Sequence, residues 1–299
     1  MKLFAGLSAF SITPADAAGH VDTGALARLL ERISTAGADS IGLLGSTGGY
    51  AFLSRHERQR AVEAAMECVG GKIPVIVGVG ALRTDEAQAL ARDARKAGAD
   101  GLLLAPMSYT PLTEEEVFQH ISAVAEAGEL PLCIYNNPST TRFTFTDDLI
   151  VRLASVPNIA AVKMPLPTQG DFKGELQRLR SRTPAGFAVG YSGDWGAADA
   201  LLAGCDAWCS VIAGLLPSEA IVLTQAAQAG NTSETERLDR AFQAMWGLFK
   251  EFGSFRVMYA IADVLGLCHA APPRPILPLP SADMPRVKDA LDRIAAAAA

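Results

Sequence analysis

The chain has 299 residues, 49% of them from the apolar set and 19% charged, with a formal net charge of −6. That apolar fraction supplies a large core and excludes a disordered chain. The acidic balance, with no Lys/Arg-rich run, excludes a general affinity for nucleic acid or anionic lipid, and no apolar stretch reaches the roughly 18 residues that span a bilayer.

The opening segment MKLFAGLSAFSITPADAA carries Lys2, an apolar run and an A-x-A-like ending, as a signal peptide does. Its apolar run is short for that role, and a first strand over Leu3–Phe10 is the simpler expectation. Further short apolar runs follow at regular intervals: DSIGLLG, PVIVGVG, DGLLLAP, LPLCIYN, IAAVKM, GFAVGY and DAWCSVIA. With the first, their predicted ends fall near residues 10, 44, 77, 104, 136, 163, 190 and 211. Segments of helical period separate them. Ser54-Arg-His-Glu57 and Thr113-Glu-Glu-Glu116 both have the capping-box pattern. The helix opened at Thr84 is expected to close at Gly98, and the one opened at Thr113 at Gly128.

Eight continuous apolar strands alternating with helices imply parallel pairing with both strand faces buried. Eight is the number that closes a ring, so the expected fold class is α/β, a (β/α)8 TIM barrel over 1–225 that carries the active site. A doubly wound open sheet is the competing architecture, but the G-x-G-x-x-G turn it predicts is missing, as is a phosphate-binding P-loop. After about residue 225 the strands stop. Helices are expected over 233–252, 254–267 and 283–298, with the Pro-rich APPRPILPLP as an extended connector between the last two. Residues 226–299 thus read as a C-terminal helical extension of the kind that packs in oligomer interfaces.

The five cysteines, at 68, 133, 205, 209 and 268, include no C-x-x-C, and the four histidines form no H-x-x-x-H pair. Neither a disulfide framework nor a metal site is expected, and free thiols fit a cytoplasmic protein.

Barrel active sites sit at the C-terminal ends of the strands. Those ends carry Gly45-Ser46-Thr47-Gly48, Pro106-Met107-Ser108-Tyr109, Tyr135-Asn136, Lys163, Ser192-Gly193-Asp194 and Cys209-Ser210. Lys163 alone among the lysines ends an apolar strand. Desolvation there disfavours an ammonium, and a neutral amine adds to a carbonyl to give a Schiff base. The competing reading is a lysine that snorkels from a strand end to solvent. Tyr135 ends the neighbouring strand, within reach of a proton on that substrate, or is a core tyrosine. Ser46 and Thr47, between glycines, suit a carboxylate, or form an ordinary turn.

In this order and spacing, Gly45-Ser46-Thr47-Gly48, Tyr135-Asn136-Asn137-Pro138, Lys163 and Ser192-Gly193-Asp194 resemble the dihydrodipicolinate synthase / N-acetylneuraminate lyase superfamily of class I, pyruvate-dependent aldolases, across essentially the whole chain. The resemblance implies a homo-oligomer, tetramer or dimer, and a reaction with no cofactor. It implies that Lys163 forms the imine with pyruvate or a related 2-oxo acid, that Tyr135 relays protons, and that Ser46 and Thr47 bind the carboxylate, with Ser46 joining the relay. Gly193 and the Cys209 backbone would help shape the pocket. The chain also departs from that pattern. Gly49 stands where the family has Glu, and Met164-Pro165 follow the lysine where the synthases have Glu-Ala. Thr140 stands where the synthases carry the arginine that grips a semialdehyde carboxylate, the nearest guanidinium being Arg142; the synthases also place a tyrosine from a neighbouring subunit at strand four, where this chain has Ser108, with Tyr109 one residue later. A hydroxyl does not replace a bidentate clamp. The expected activity is therefore aldol cleavage, condensation or dehydration of a 2-oxo (sugar) acid through Lys163. Its rivals are 4-hydroxy-tetrahydrodipicolinate synthase chemistry, a non-catalytic 2-oxo-acid binder, and a phosphate-using barrel whose seventh loop the Asp194 carboxylate would disfavour.

Overall fold

A computed structural model describes residues 3–298; Met1, Lys2 and Ala299 lie outside it, and with them the expectation for Lys2. The strands are β1 (Gly6–Phe10), β2 (Ser40–Leu43), β3 (Val75–Gly78), β4 (Gly101–Leu104), β5 (Leu132–Tyr135), β6 (Ile159–Met164), β7 (Ala188–Tyr191) and β8 (Ala207–Ser210). All pair in parallel in sequence order, and β8 pairs with β1 to close the barrel. Each strand ends within one residue of its expected place.

The strand sequences are apolar throughout because each strand buries both faces. Leu7, Ala9, Ile41, Leu43, Val75, Val77, Leu102, Leu104, Ile134, Val162 and Val189 face the surrounding helices. The alternate set, including Phe10, Ile76, Leu103, Cys133, Tyr135, Ala161, Ala188 and Cys209, fills the barrel interior as a second cluster. Each fully buried Val, Leu or Ile contributes roughly 1.5–3 kcal/mol relative to exposure. Half of these inner residues are small, so the two large rings among them decide where space remains.

The helices are α1 (Thr23–Ala36), α2 (Arg55–Val69), α3 (Thr84–Ala97), α4 (Glu114–Gly128), α5 (Pro138–Thr141), α6 (Asp147–Ala154), α7 (Phe172–Arg180), α8 (Ala197–Leu202), α9 (Pro217–Gln228), α10 (Thr232–Phe252), α11 (Ser254–Val264) and α12 (Met284–Ala298). At α4 the Thr113 side chain accepts the Glu116 N–H and Glu116 accepts the Thr113 N–H, a complete capping box. At α2 only half of the expected box forms. Ser54 Oγ accepts the Glu57 N–H, but the Glu57 carboxylate turns to the Val21 N–H (2.7 Å) and Arg60 (2.7 Å). α11 stops short of residue 267 because the chain turns at Gly266, where the Leu267 N–H bonds back to Ala262 O at 2.9 Å.

The C-terminal helices place two aromatic residues over the barrel mouth. Along α10, Phe242 stacks on Trp246 at 4.9 Å between centroids, Phe249 meets Trp246 tilted at 5.7 Å, and Trp246 Nε1 donates to Asp239. Gly253 separates α10 from α11, and Phe249 and Phe255 flank this break. No described helix is long and apolar enough to cross a membrane.

Candidate active site

A cavity of about 590 Å3 opens at the C-terminal end of the barrel, a size suited to a small organic substrate. The strand-end rule is met by Ser46 and Thr47 after β2, Tyr135 on β5, Lys163 on β6 and Gly193 after β7, all of which line it. Thr140 lines it from α5 and is exposed, with its Oγ1 donating to Asn137 O at 3.2 Å.

Tyr135 and Lys163 are register partners across β5 and β6. Lys163 is only 3% exposed, so its amine does not snorkel to bulk water. Its Nζ lies 4.2 Å from the centroid of the Tyr135 ring and 3.7 Å from that of Phe10. Tyr135 Oη accepts the Asn137 Nδ2 amide at 3.0 Å, which fixes the phenol oxygen at the cavity wall.

The hydroxyl-bearing turn leaves β2 through Leu44, whose φ of +54° is a left-handed value that non-glycine residues seldom adopt. Such a residue costs on the order of 1–3 kcal/mol and persists where the surroundings hold it. Leu44 is 1% exposed, so packing holds it and the strain sits next to Ser46 and Thr47. Gly49, the departure noted above, has φ +62°, and a Cβ there would lie 3.4 Å from Phe255. A glutamate is disfavoured in this backbone conformation.

Asp194 follows Gly193 and is buried. Its carboxylate accepts the Trp208 indole N–H (3.0 Å) and the backbone N–H groups of Val211 and Ile212 (2.8–3.1 Å). Burial pushes its pKa up to about 6, against these donors and the nearby Lys163, which favour the charged form. The carboxylate thus takes up eighth-loop amides of the kind a barrel phosphate site uses.

Other expected residues lie elsewhere in a single chain. Cys209 is buried in the inner cluster and lines a smaller apolar cavity beneath the site. Ser108 Oγ donates to Thr110 O, and Tyr109 is 99% exposed; neither lines the site. Arg142 is exposed and outside the lining, which contains no arginine among the described residues. Leu166, Trp195, Phe249 and Phe255 add apolar wall that the strand-end rule does not anticipate. Phe10 ends β1, so the same rule does point to it.

A closed (β/α)8 barrel with a buried lysine on a strand end, a phenol beside it and hydroxyls across the mouth defines a lyase of the Schiff-base type. The family model described as Dihydrodipicolinate synthetase matches residues 3–294. A 4-hydroxy-tetrahydrodipicolinate synthase from Thiobacillus denitrificans is 36% identical over 273 residues, covering 90% of this chain and 89% of that protein. A crystal structure described as dihydrodipicolinate synthase from Agrobacterium tumefaciens superposes with a TM-score of 0.96 at 60% identity, covering 98% of each chain. A chloride-inhibited dihydrodipicolinate synthase from Acinetobacter baumannii complexed with pyruvate gives 0.89 at 29% identity, covering 98% of this chain and 99% of that one. The chain belongs to the dihydrodipicolinate synthetase family.

Proposed function

We propose that Lys163 condenses with the keto carbon of pyruvate or a related 2-oxo acid, and that the protein makes or breaks a C–C bond, or eliminates water, at C3 of that imine. The observation that carries this reading is the Lys163 amine, buried at the mouth of the barrel against the phenol ring of Tyr135 and within one cavity with Ser46 and Thr47. In this mechanism Nζ attacks C2, the carbonyl oxygen leaves as water, and the iminium draws the electrons of a C3 bond into an enamine. Tyr135 carries protons to and from the reacting atoms, while Ser46 and Thr47 hold the carboxylate of the 2-oxo acid. Gly193 gives this end of the cavity its shape. No metal or organic cofactor has a part in these steps, because the iminium formed on Lys163 is the electron sink.

For the second substrate, a lining without arginine favours a 2-oxo sugar acid or another partner without a second carboxylate. The names of the curated relatives favour a second reading, condensation of pyruvate with aspartate semialdehyde. Residues 1–225 would carry the chemistry, and the 226–299 extension would roof it through Phe249 and Phe255. We also propose a cytoplasmic protein, for which its five free thiols are suited, and a homo-oligomer, which would cover the exposed Tyr109.

Pyruvate with borohydride, followed by digestion and mass measurement, tests the imine. The expected result is an adduct on the Lys163 peptide that Lys163→Ala abolishes while the fold survives. Retained turnover in that variant overturns the assignment, and trapping without turnover on any 2-oxo acid leaves a non-catalytic binder. Pyruvate release from a panel of 2-oxo sugar acids, set against condensation with the semialdehyde, separates the two substrate readings.

A further inference from the structure

Two aromatic faces meet the Lys163 amine, and the nearer belongs to Phe10 on β1, with Nζ 3.7 Å from the ring centroid. The ring lies where it does because β2 makes room for it. A Cβ on Gly42 would come within 2.4 Å of the Phe10 ring, and one on Gly45 within 2.7 Å, so both positions are open only as glycine. Phe10 is 2% exposed and belongs to the wall of the small apolar cavity below, whereas Lys163 belongs to the wall of the reaction cavity above. The ring is therefore the floor of the active site, with its face under the reacting nitrogen. Of the remaining inner cluster, Cys133, Ala161, Ala188 and Cys209 are small and Ile76 and Leu103 are aliphatic, so only Tyr135 offers a second aromatic face.

We propose that Phe10 is a catalytic residue of this lyase, its π face stabilising the positive charge that develops on Nζ as the imine forms. The inference rests on the Schiff-base reading of Lys163. In the step concerned, the neutral amine forms a C–N bond to C2 while the C=O π pair moves to oxygen; one nitrogen proton then passes to that oxygen through Tyr135, and a second proton, drawn from solvent through the same phenol, turns the hydroxyl into a leaving water. Water then leaves and the nitrogen lone pair becomes the C=N π bond. The carbon–oxygen bonds are broken, no electrons leave the system, and the nitrogen carries a charge that the amine did not. A desolvated cation over an aromatic face is stabilised by its quadrupole, and the water exclusion that makes an iminium expensive is the condition under which this attraction is strongest.

Replacing Phe10 site-specifically by mono-, di- and trifluorophenylalanine tests this, since fluorine drains the negative face while nearly preserving ring size. The measured quantity is the equilibrium constant for the pyruvate adduct in the intact protein, taken at one pH on the upper plateau of trapping. Its logarithm is expected to fall stepwise with each fluorine, and Phe10→Leu to lose about 30-fold. Tyr135, Cys133, Cys209 and Asp194 are the titratable groups around Nζ and are the same in every variant, so they cancel. A flat fluorine series beside a normal wild-type adduct overturns the role of Phe10 and leaves it as packing. No adduct in the wild-type protein overturns the Schiff-base reading beneath it.

Discussion

Tyr135 and Lys163 stand side by side on β5 and β6, with the lysine Nζ 4.2 Å from the centroid of the phenol ring, while the phenol oxygen accepts an amide N–H from Asn137. The ring and the hydroxyl thus have separable tasks. Tyr135→Phe keeps the face beside the amine and removes only the proton carrier. Turnover is expected to fall by about 10²–10⁴, the usual span of a lost general acid–base. The borohydride-trapped pyruvate adduct on Lys163 should still form. A loss confined to pyruvate binding, with kcat intact, rejects the relay.

Thr140 lines the cavity from an exposed position, and Arg142, two residues on, is outside the lining. Thr140→Arg supplies the missing cation. A charge-assisted bidentate bond contributes about 1.5–3 kcal/mol, so kcat/KM for condensing pyruvate with aspartate semialdehyde is expected to rise by about 10- to 100-fold. Pyruvate trapping should be unchanged. A variant with no gain would show that the carboxylate end of the semialdehyde does not lie against residue 140.

The barrel was readable because strands buried on both faces become continuous apolar runs, and their ends then identify Lys163, Tyr135 and the Ser46-Thr47 turn without side-chain geometry. The roof was not readable. Phe249 and Phe255 belong to helices whose apolar residues look alike in sequence whether they pack on a neighbour or overhang a cavity. Glu57 has the spacing of a capping residue, yet a distant backbone N–H at Val21 competes for its carboxylate, and local pattern carries no trace of that partner. Ser108 and Tyr109 likewise end an apolar run, but neither lines the cavity of its own chain, and local pattern does not say whether a strand-end residue serves its own chain or a partner. The pairing of Phe10 with Gly42 and Gly45 is a steric relationship between strands, visible only once β1 and β2 are in register.

Gly247 lies inside α10, is exposed, and has no atom within 4 Å of where a Cβ would stand. Nothing in its surroundings needs a glycine, which inside a helix is less favourable than alanine by roughly 0.5–1 kcal/mol. Gly247→Ala is expected to raise stability by that amount, read as a higher urea midpoint with an unchanged slope and unchanged kcat. Gly49→Ala, at φ +62° beside Phe255, should move the midpoint the other way. Equal effects at the two positions would reject the argument from helix propensity.

Asp194 ties the seventh loop to the eighth, and its folded pKa of about 6 lies above the unfolded value of 3.8 because burial disfavours its charge. Between those values the folded protein holds a proton that the unfolded chain has lost. Stability from this group is therefore full in acid and declines as pH rises from about 4 to about 6, by on the order of 3 kcal/mol, and is constant above that. Surface carboxylates such as Glu116 and Glu251, whose pKa values are lowered by their partners, act in the opposite direction and lose stability on acidification. They are common to wild type and Asp194→Asn, so the difference in unfolding free energy between the two proteins isolates the buried group. That difference should change in favour of the variant as pH rises through the window and level off above about pH 6. A difference independent of pH would mean that the three N–H donors from Trp208, Val211 and Ile212 offset burial completely and hold the carboxylate charged throughout.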